Sequence, residues 1–219
     1  AGDIMDYGFS RVVLACGASW VASLLDPRGI PLPHADVLTP DDVFAGAALV
    51  DPVVVFDYEH YVMGSCLAEM LAAKGHRVTF VTPGDEVGGW SRNTHDQWYA
   101  QKRLIELKVR ILTGHYLSAL SEGEARLLCK YSGQESALEA GSVISVGARR
   151  GKDEIYRTLM ADPDLLAAKG VRSLQKIGDC DVPGAVVHAV YAGHRLAQDF
   201  DAAPDGALPF KLEETRLGL

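Results

Sequence analysis

Three short stretches of the chain bear on nucleotide binding, two with side chains whose chemistry suits it and one whose acids oppose it. The first is Ile177-Gly178-Asp179-Cys180, which ends an apolar run and precedes a helical pattern from Ala185 to Phe200. A strand ending in Gly-Asp offers its carboxylate to the hydroxyls of a ribose or ribityl chain, while the N-terminus of the next helix faces a phosphate. The second is Leu14-Ala15-Cys16-Gly17-Ala18, matched further on by Ser145-Val146-Gly147-Ala148. Small residues and glycine at a strand end let a crossing backbone pass close to a bound nucleotide. The third is the turn Asp57-Tyr58-Glu59-His60-Tyr61-Val62, where two carboxylates stand near a helix N-terminus that would otherwise attract phosphate. Gly-Asp before a helix is by itself an ordinary turn and cap; the order of these stretches along the chain is what is specific. The candidate cofactor-binding residues are Cys16, Gly17, Ala18, Gly178 and Asp179, and no residue is singled out as catalytic or metal-binding.

The elements that must position these groups are legible from periodicity. Val53 to Phe56 is a continuous apolar run, the pattern of a buried parallel strand. Met63 to Lys74 places Met63, Cys66, Leu67, Met70 and Leu71 on one helical face, Gly75 stops the helix at C′, and His76 to Thr82 forms the second strand. This is the layout of a dinucleotide-binding βαβ unit. A working turn reads G-x-G-x-x-G, because only glycine lets main chain and helix N-terminus approach a diphosphate. Here the next glycine, Gly64, arrives late, and the tip of the second strand is Thr82-Pro83-Gly84 with no acid for ribose hydroxyls. The turn predicts a nucleotide-binding shape closed to nicotinamide nucleotide; the alternative is a divergent but working site.

Around this unit, Phe9 to Ala15 is a strand, and the Pro- and Gly-rich loop from Asp26 to Pro40 reads as a crossover between domains. A helix opened by Asn93 or Thr94 runs to Leu107, with Trp98, Leu104 and Ile105 toward the core. Val109 to Thr113 is a third short strand, Tyr116–Leu120 and Ala125–Tyr131 are hairpin arms, and Ser142–Val146 is a further strand. Leu165–Lys169 is weakly helical, Val171–Ile177 is extended, and the last helix points Val186, Ala189, Val190, Gly193 and Leu196 inward. Trp90, His95, Trp98 and Tyr99 form an aromatic cluster, read as packing or as a docking face for a partner flavoprotein.

Composition narrows the partners. A net charge of −8 over 219 residues argues against nucleic acid or an anionic membrane. No apolar run approaches the roughly 20 residues that span a bilayer, and no basic segment precedes an apolar start, so a cytoplasmic protein is expected. Cys16, Cys66, Cys129 and Cys180 are far apart in sequence, with no C-x-x-C pair, and are expected to be buried free thiols.

DYEHYVMGSCLAEMLAAKGHRVTFVTPGDEV, IGDCDVPGAVVHAVYAGHRLAQDFD and ALPFKLEE together resemble the C-terminal part of the trimethylamine, dimethylamine and histamine dehydrogenase family, relatives of 2,4-dienoyl-CoA reductase. The resemblance implies an α/β fold, a two-dinucleotide-binding (FAD/NAD(P)-like) Rossmann-type three-layer architecture incomplete at the N-terminus. It implies residues 1–36 and 141–219 as a partial FAD/ADP-binding-like domain and 37–140 as an NAD(P)-binding-like domain with a degenerate turn. ADP, or FAD as in the reductase relatives, is the implied cofactor. FMN and a 4Fe-4S cluster belong to a barrel with no counterpart here, so the chain is expected to be a fragment or subunit of an oxidoreductase, non-catalytic alone. Its implied partners are the remainder of the parent flavoprotein and an electron-transfer flavoprotein. The alternatives are an independent NAD(P)H-dependent flavin reductase and a pure protein-interaction module.

Overall fold

The computed structural model describes residues 2–200, apart from 25, 31 and 33–35. The tail from Pro204 to Leu219, with its ALPFKLEE stretch, lies outside the described residues, as does part of the loop between Asp26 and Pro40. Along the described chain run α1 (Gly2–Met5), β1 (Arg11–Leu14), β2 (Ala18–Trp20), α2 (Pro40–Phe44), β3 (Val53–Asp57), α3 (Met63–Ala73), β4 (Val78–Val81), α4 (Gln97–Glu106) and β5 (Arg110–Leu112). There follow β6 (His115–Ser121), β7 (Glu124–Cys129), β8 (Glu135–Glu139), β9 (Ser142–Val146), β10 (Arg149–Gly151), α5 (Glu154–Met160), α6 (Pro163–Ala168), β11 (Ser173–Lys176) and α7 (Val186–Asp199). The architecture is α/β with parallel sheets, divided into two units: Ser19–Arg149, and Ala1–Ala18 with Arg150–Leu219.

In Ser19–Arg149 the parallel sheet has the order β5-β4-β3-β9. Val53 stands opposite Val78 on one side and Ser142 on the other, which makes β3 central. All five of its residues are buried, as a parallel strand covered on both faces requires. Its side chains alternate between two cores. Val53 and Val55 pack with Leu67, Leu71 and Leu104 beneath α3 and α4. Val54 and Phe56 pack with Leu117, Leu127 and Leu138 from the antiparallel sheet β6-β7-β8. Each large aliphatic or aromatic side chain so buried contributes roughly 1.5–3 kcal/mol. The expected hairpin therefore exists, with a third strand, β8, that periodicity had not marked. The observed division lies outside the expected boundaries at 36/37 and 140/141: β9 hydrogen-bonds to β3 over Val53↔Ser142 to Asp57↔Val146 at one end, and Leu24 packs into the core of Val54 and Phe56 at the other.

Helix α3 ends as its glycine predicts. Gly75, at φ +95°, donates its N–H to the Ala72 carbonyl at 3.0 Å, and His76 donates to Leu71 at 3.1 Å, the paired bonds of a Schellman cap. Two helical faces differ from the expectation. In α3 the buried set is Gly64, Ser65, Leu67, Ala68 and Leu71, while Cys66 is exposed. In α4 Leu104 is buried, but Trp98 and Ile105 are each 61% exposed. The helix starts at Gln97 after a 3₁₀ turn over Gly89–Thr94, which rotates the face relative to a start at Asn93. Trp90, Trp98 and Tyr99 are all exposed, so the packing reading of the aromatic cluster is corrected; Trp98 and Tyr99 meet edge to face at 4.8 Å.

In the other unit β1 and β11 pair in parallel from Arg11↔Ser173 to Leu14↔Lys176. Met5, Leu159 and Leu166 form one small core, and Val12, Leu14 and Cys180 another. Helix α7 has no buried residue. Val186 and Val190, expected inward, are 78% and 65% exposed, while Ala189, Gly193 and Leu196 are half-buried. The physical reason is width: two strands about 4.8 Å apart offer too narrow a face to cover a helix of this length. Among the described residues, no helix is long and apolar enough to cross a membrane.

Candidate functional site

The turn after β3 is built around a carboxylate. Asp57 is wholly buried, and its Oδ1 accepts the His60 N–H at 3.1 Å. His60 reaches that position with φ +59°, a left-handed conformation that histidine adopts infrequently. The side chain of Asp57 lies against Gly64 in the first turn of α3, where a Cβ would stand 2.8 Å from the Asp57 Cβ and Cγ. The late glycine thus makes room for an acid, where the glycines of a G-x-G-x-x-G turn make room for phosphate. Burial, foremost, and the neighbouring Glu59 charge raise the Asp57 pKa to about 7, against the opposing pull of the His60 and Glu59 amides. Its Oδ2 has no hydrogen-bond partner among the described residues. Glu59 is held by Arg149 at 3.3 Å, and the amides of Tyr58 and Glu59 both donate to Val146 at the end of β9.

Beyond this turn Tyr58, His60, Pro83, Trp90, Tyr116 and Lys130 line a cavity of about 370 Å³. Tyr58 packs on His60 and Tyr116 with centroids 5.7 and 6.3 Å apart. His60 Nδ1 lies 3.2 Å from Thr82 Oγ1, and burial together with the Lys130 charge pushes the imidazole below its usual pKa, so it is neutral near pH 7. Lys130 is paired with Asp85 at 2.7 Å, and the Tyr131 hydroxyl also donates to Asp85. Asp85 is the first acid after β4 but is already engaged. The cavity is thus lined by aromatic rings and by a lysine already paired with a carboxylate.

In the other unit a cleft of about 1300 Å³ runs along β1, β11 and α7. Gly178 stands at its edge with φ +61°, and Arg11, Arg172, Lys176 and Arg195 contribute positive charge beside Asp181 and Asp199. These cations were not marked by sequence reasoning. The one available signal was the alternation Arg11-Val12-Val13-Leu14, in which Arg11 is exposed while Val12 and Leu14 are buried. Asp179 Oδ1 accepts the Gly184 N–H at 3.1 Å, fixing the loop ahead of α7. At the helix start the Ala185 N–H donates to His188 Nδ1 at 3.1 Å, so an imidazole caps the end expected to face phosphate.

Of the other sequence-chosen residues, Gly17 has φ +75° and its carbonyl accepts the Lys152 N–H at 2.9 Å, while Ala18 opens β2. Cys16 is exposed and Cys180 is buried. The expectation of burial thus holds for Cys180 and is corrected for Cys16 and Cys66, which lie on a turn and on the outward side of a helix. Desolvation of the sulfur and the neighbouring Cys180 thiol raise the Cys16 pKa.

The chain is similar along its whole length to dimethylamine dehydrogenase of Hyphomicrobium sp. (strain x), at 32% identity, covering 33% of that protein. Histamine dehydrogenase of Rhizobium sp. 4-9 matches all of the chain with TM-score 0.90 and 33% identity, over 35% of its own length. The 6-hydroxypseudooxynicotine amine oxidase of Pseudomonas geniculata N1 matches 89% of the chain with TM-score 0.82 and 28% identity, over 29% of its own. The chain therefore spans about a third of the length of the relatives it matches. Residues 38–153 match the model of the OYE-like second alpha/beta domain, and the chain belongs to that family.

Proposed function

We propose that this chain is the C-terminal nucleotide-binding region of an amine-dehydrogenase-like flavoprotein oxidoreductase, with a Rossmann-type unit in Ser19–Arg149 whose own nucleotide site is closed. The observation that carries the reading is the buried Asp57 carboxylate at the head of α3, resting on Gly64 and accepting the His60 amide. A buried acid there takes the His60 N–H and fills the space against Gly64 that a diphosphate would need at the helix start. The strand order β5-β4-β3-β9, with α3 and α4 as crossovers and a three-stranded antiparallel connection into β9, supports a dinucleotide-binding ancestry.

The adenine nucleotide, ADP or FAD, belongs with the other unit. Several residues of its cleft suit such a group: Arg11 and Arg172 match a diphosphate, joined by Lys176 and Arg195 once they leave Asp153 and Asp199, and Gly178 offers close main-chain approach. Asp179, on the turn beside the cleft, is the acid for ribose or ribityl hydroxyls. A bound ADP would be structural, whereas FAD would supply hydride or electron transfer. Among the described residues none buries the face of α7, which supports further chain of the same parent completing this unit. The whole-protein activity is then oxidation of an amine, carried out elsewhere in the parent and outside these residues.

The test is to purify the full-length parent, denature it, and separate released nucleotides by chromatography. One equivalent of ADP or FAD is expected, and lowered occupancy in an Asp179→Ala variant; release of neither nucleotide would refute the reading.

A further inference from the structure

We propose that Cys16 and Cys180 form a reversible disulfide that clamps together the turns following β1 and β11, made at the expense of a low-molecular-weight disulfide such as oxidised glutathione. The inference concerns thiols alone and stands whether or not a nucleotide binds nearby.

The geometry begins with the strands. β1 and β11 run parallel with Leu14 opposite Lys176, so the chain leaves both at the same end, and the Ile177 N–H still donates to Leu14 at 2.9 Å. Cys16 lies just beyond Leu14, and Cys180 closes the 3₁₀ turn Gly178–Cys180. Cys16 is two residues past Leu14 and Cys180 four past Lys176, so both thiols lie in the turns at the same end of this strand pair. A third segment holds the two turns in place: Lys152 donates its N–H to the Gly17 carbonyl at 2.9 Å and accepts the Cys180 thiol on its own carbonyl at 3.2 Å. Gly151 approaches so closely that a Cβ on it would stand 2.4 Å from the Cys180 carbonyl oxygen. One residue, Lys152, therefore touches the residue after Cys16 and the sulfur of Cys180. The two thiols are close enough for Cys180 to be among the groups that raise the Cys16 pKa.

Exposure assigns the roles. Cys16 is open to solvent and Cys180 is 1% exposed. The Cys16 thiolate attacks one sulfur of oxidised glutathione, forming a mixed disulfide and expelling a glutathione thiolate. The Cys180 thiolate then attacks the Cys16 sulfur and expels the second glutathione thiolate. Two electrons pass from the protein to the oxidant, and the two protons lost by the cysteines end on the two glutathione thiols. Cys66 on α3 and Cys129 at the end of β7 belong to the other unit and serve as internal controls.

The experiment uses the 219-residue chain with Cys66→Ser and Cys129→Ser, equilibrated in glutathione buffers of rising oxidised fraction, quenched by alkylation and read by intact mass and non-reducing peptide mapping. Both remaining thiols are expected to disappear together in one two-electron step, with a linked Cys16–Cys180 peptide and no lasting glutathione adduct. In the same background Cys180→Ala should instead trap glutathione on Cys16. Unfolding the chain in urea should raise the oxidised-to-reduced glutathione ratio needed for linkage by about tenfold or more, because the effective concentration of one thiol at the other is lost. A stable adduct on Cys16 while Cys180 stays reduced would overturn the proposal, as would both thiols surviving a large excess of oxidised glutathione.

Discussion

A Cβ on Gly64 would stand 2.8 Å from both Cβ and Cγ of Asp57, so the first turn of α3 is the floor on which this buried carboxylate rests. Gly64→Ala must therefore displace either the acid or the helix. The expected cost is about 1–3 kcal/mol, the range for overpacking a filled site. Urea denaturation checks it, and most of the cost should vanish in the Asp57→Gly background, where the clashing atoms are gone.

Asp57 also makes stability depend on pH. Its pKa is near 7 in the folded chain against 3.8 for the free side chain, so between those values the folded state holds a proton that the unfolded state has released. Stability from this group is full below about pH 4 and declines as pH rises to about 7. Asp57→Asn removes the titration. The variant should lose about 2–4 kcal/mol less than the wild type between pH 4.5 and 8 in paired denaturation curves. Parallel curves for the two proteins would rule the buried acid out as the cause.

Nicotinamide nucleotide should not bind the wild-type chain. Replacing both acids of the turn, Asp57→Gly with Glu59→Gly, removes the resident carboxylate and releases Arg149 from Glu59. Weak NADH binding, with Kd on the order of 1 mM, is the expected gain, followed by the fluorescence of the reduced nicotinamide. Tight binding to the unmodified chain would contradict the closed turn.

The orientation of α4 is checked by a pair of truncations. Leu104 is wholly buried and Trp98 is 61% exposed. Leu104→Ala should cost about 2–5 kcal/mol, and Trp98→Ala less than about 1 kcal/mol despite its larger side chain.

These residues also separate what periodicity reveals from what it cannot. The Val53–Phe56 run, the helix before Gly75 and the hairpin between β6 and β7 were legible because burial on both faces, a left-handed stop and strand alternation each leave a local trace. Strand β8 left little: four of its five residues are exposed, so its partner strand rather than its composition defines it. Trp98 misled because aromatics at helical spacing read as core on a helix begun at Asn93 or Thr94, whereas α4 starts at Gln97 after a 3₁₀ turn. The acidic turn was visible as a departure from glycine. That Asp57 would be the acid to enter, and Gly64 the residue to receive it, depended on a contact that chain order alone does not display. The cations of the cleft escaped notice because single exposed arginines on a strand look like ordinary surface.

The sheet order has a consequence for synthesis on the ribosome. Central strand β3 pairs with β4 soon after both emerge, but its other neighbour is β9, with the whole β6-β7-β8 sheet translated in between. Until Val146 leaves the exit tunnel, the most apolar strand of the unit presents a bare row of amides and carbonyls. The nascent chain is most in need of a chaperone during that interval, and slowing translation between Leu112 and Ser142 should lower the soluble yield.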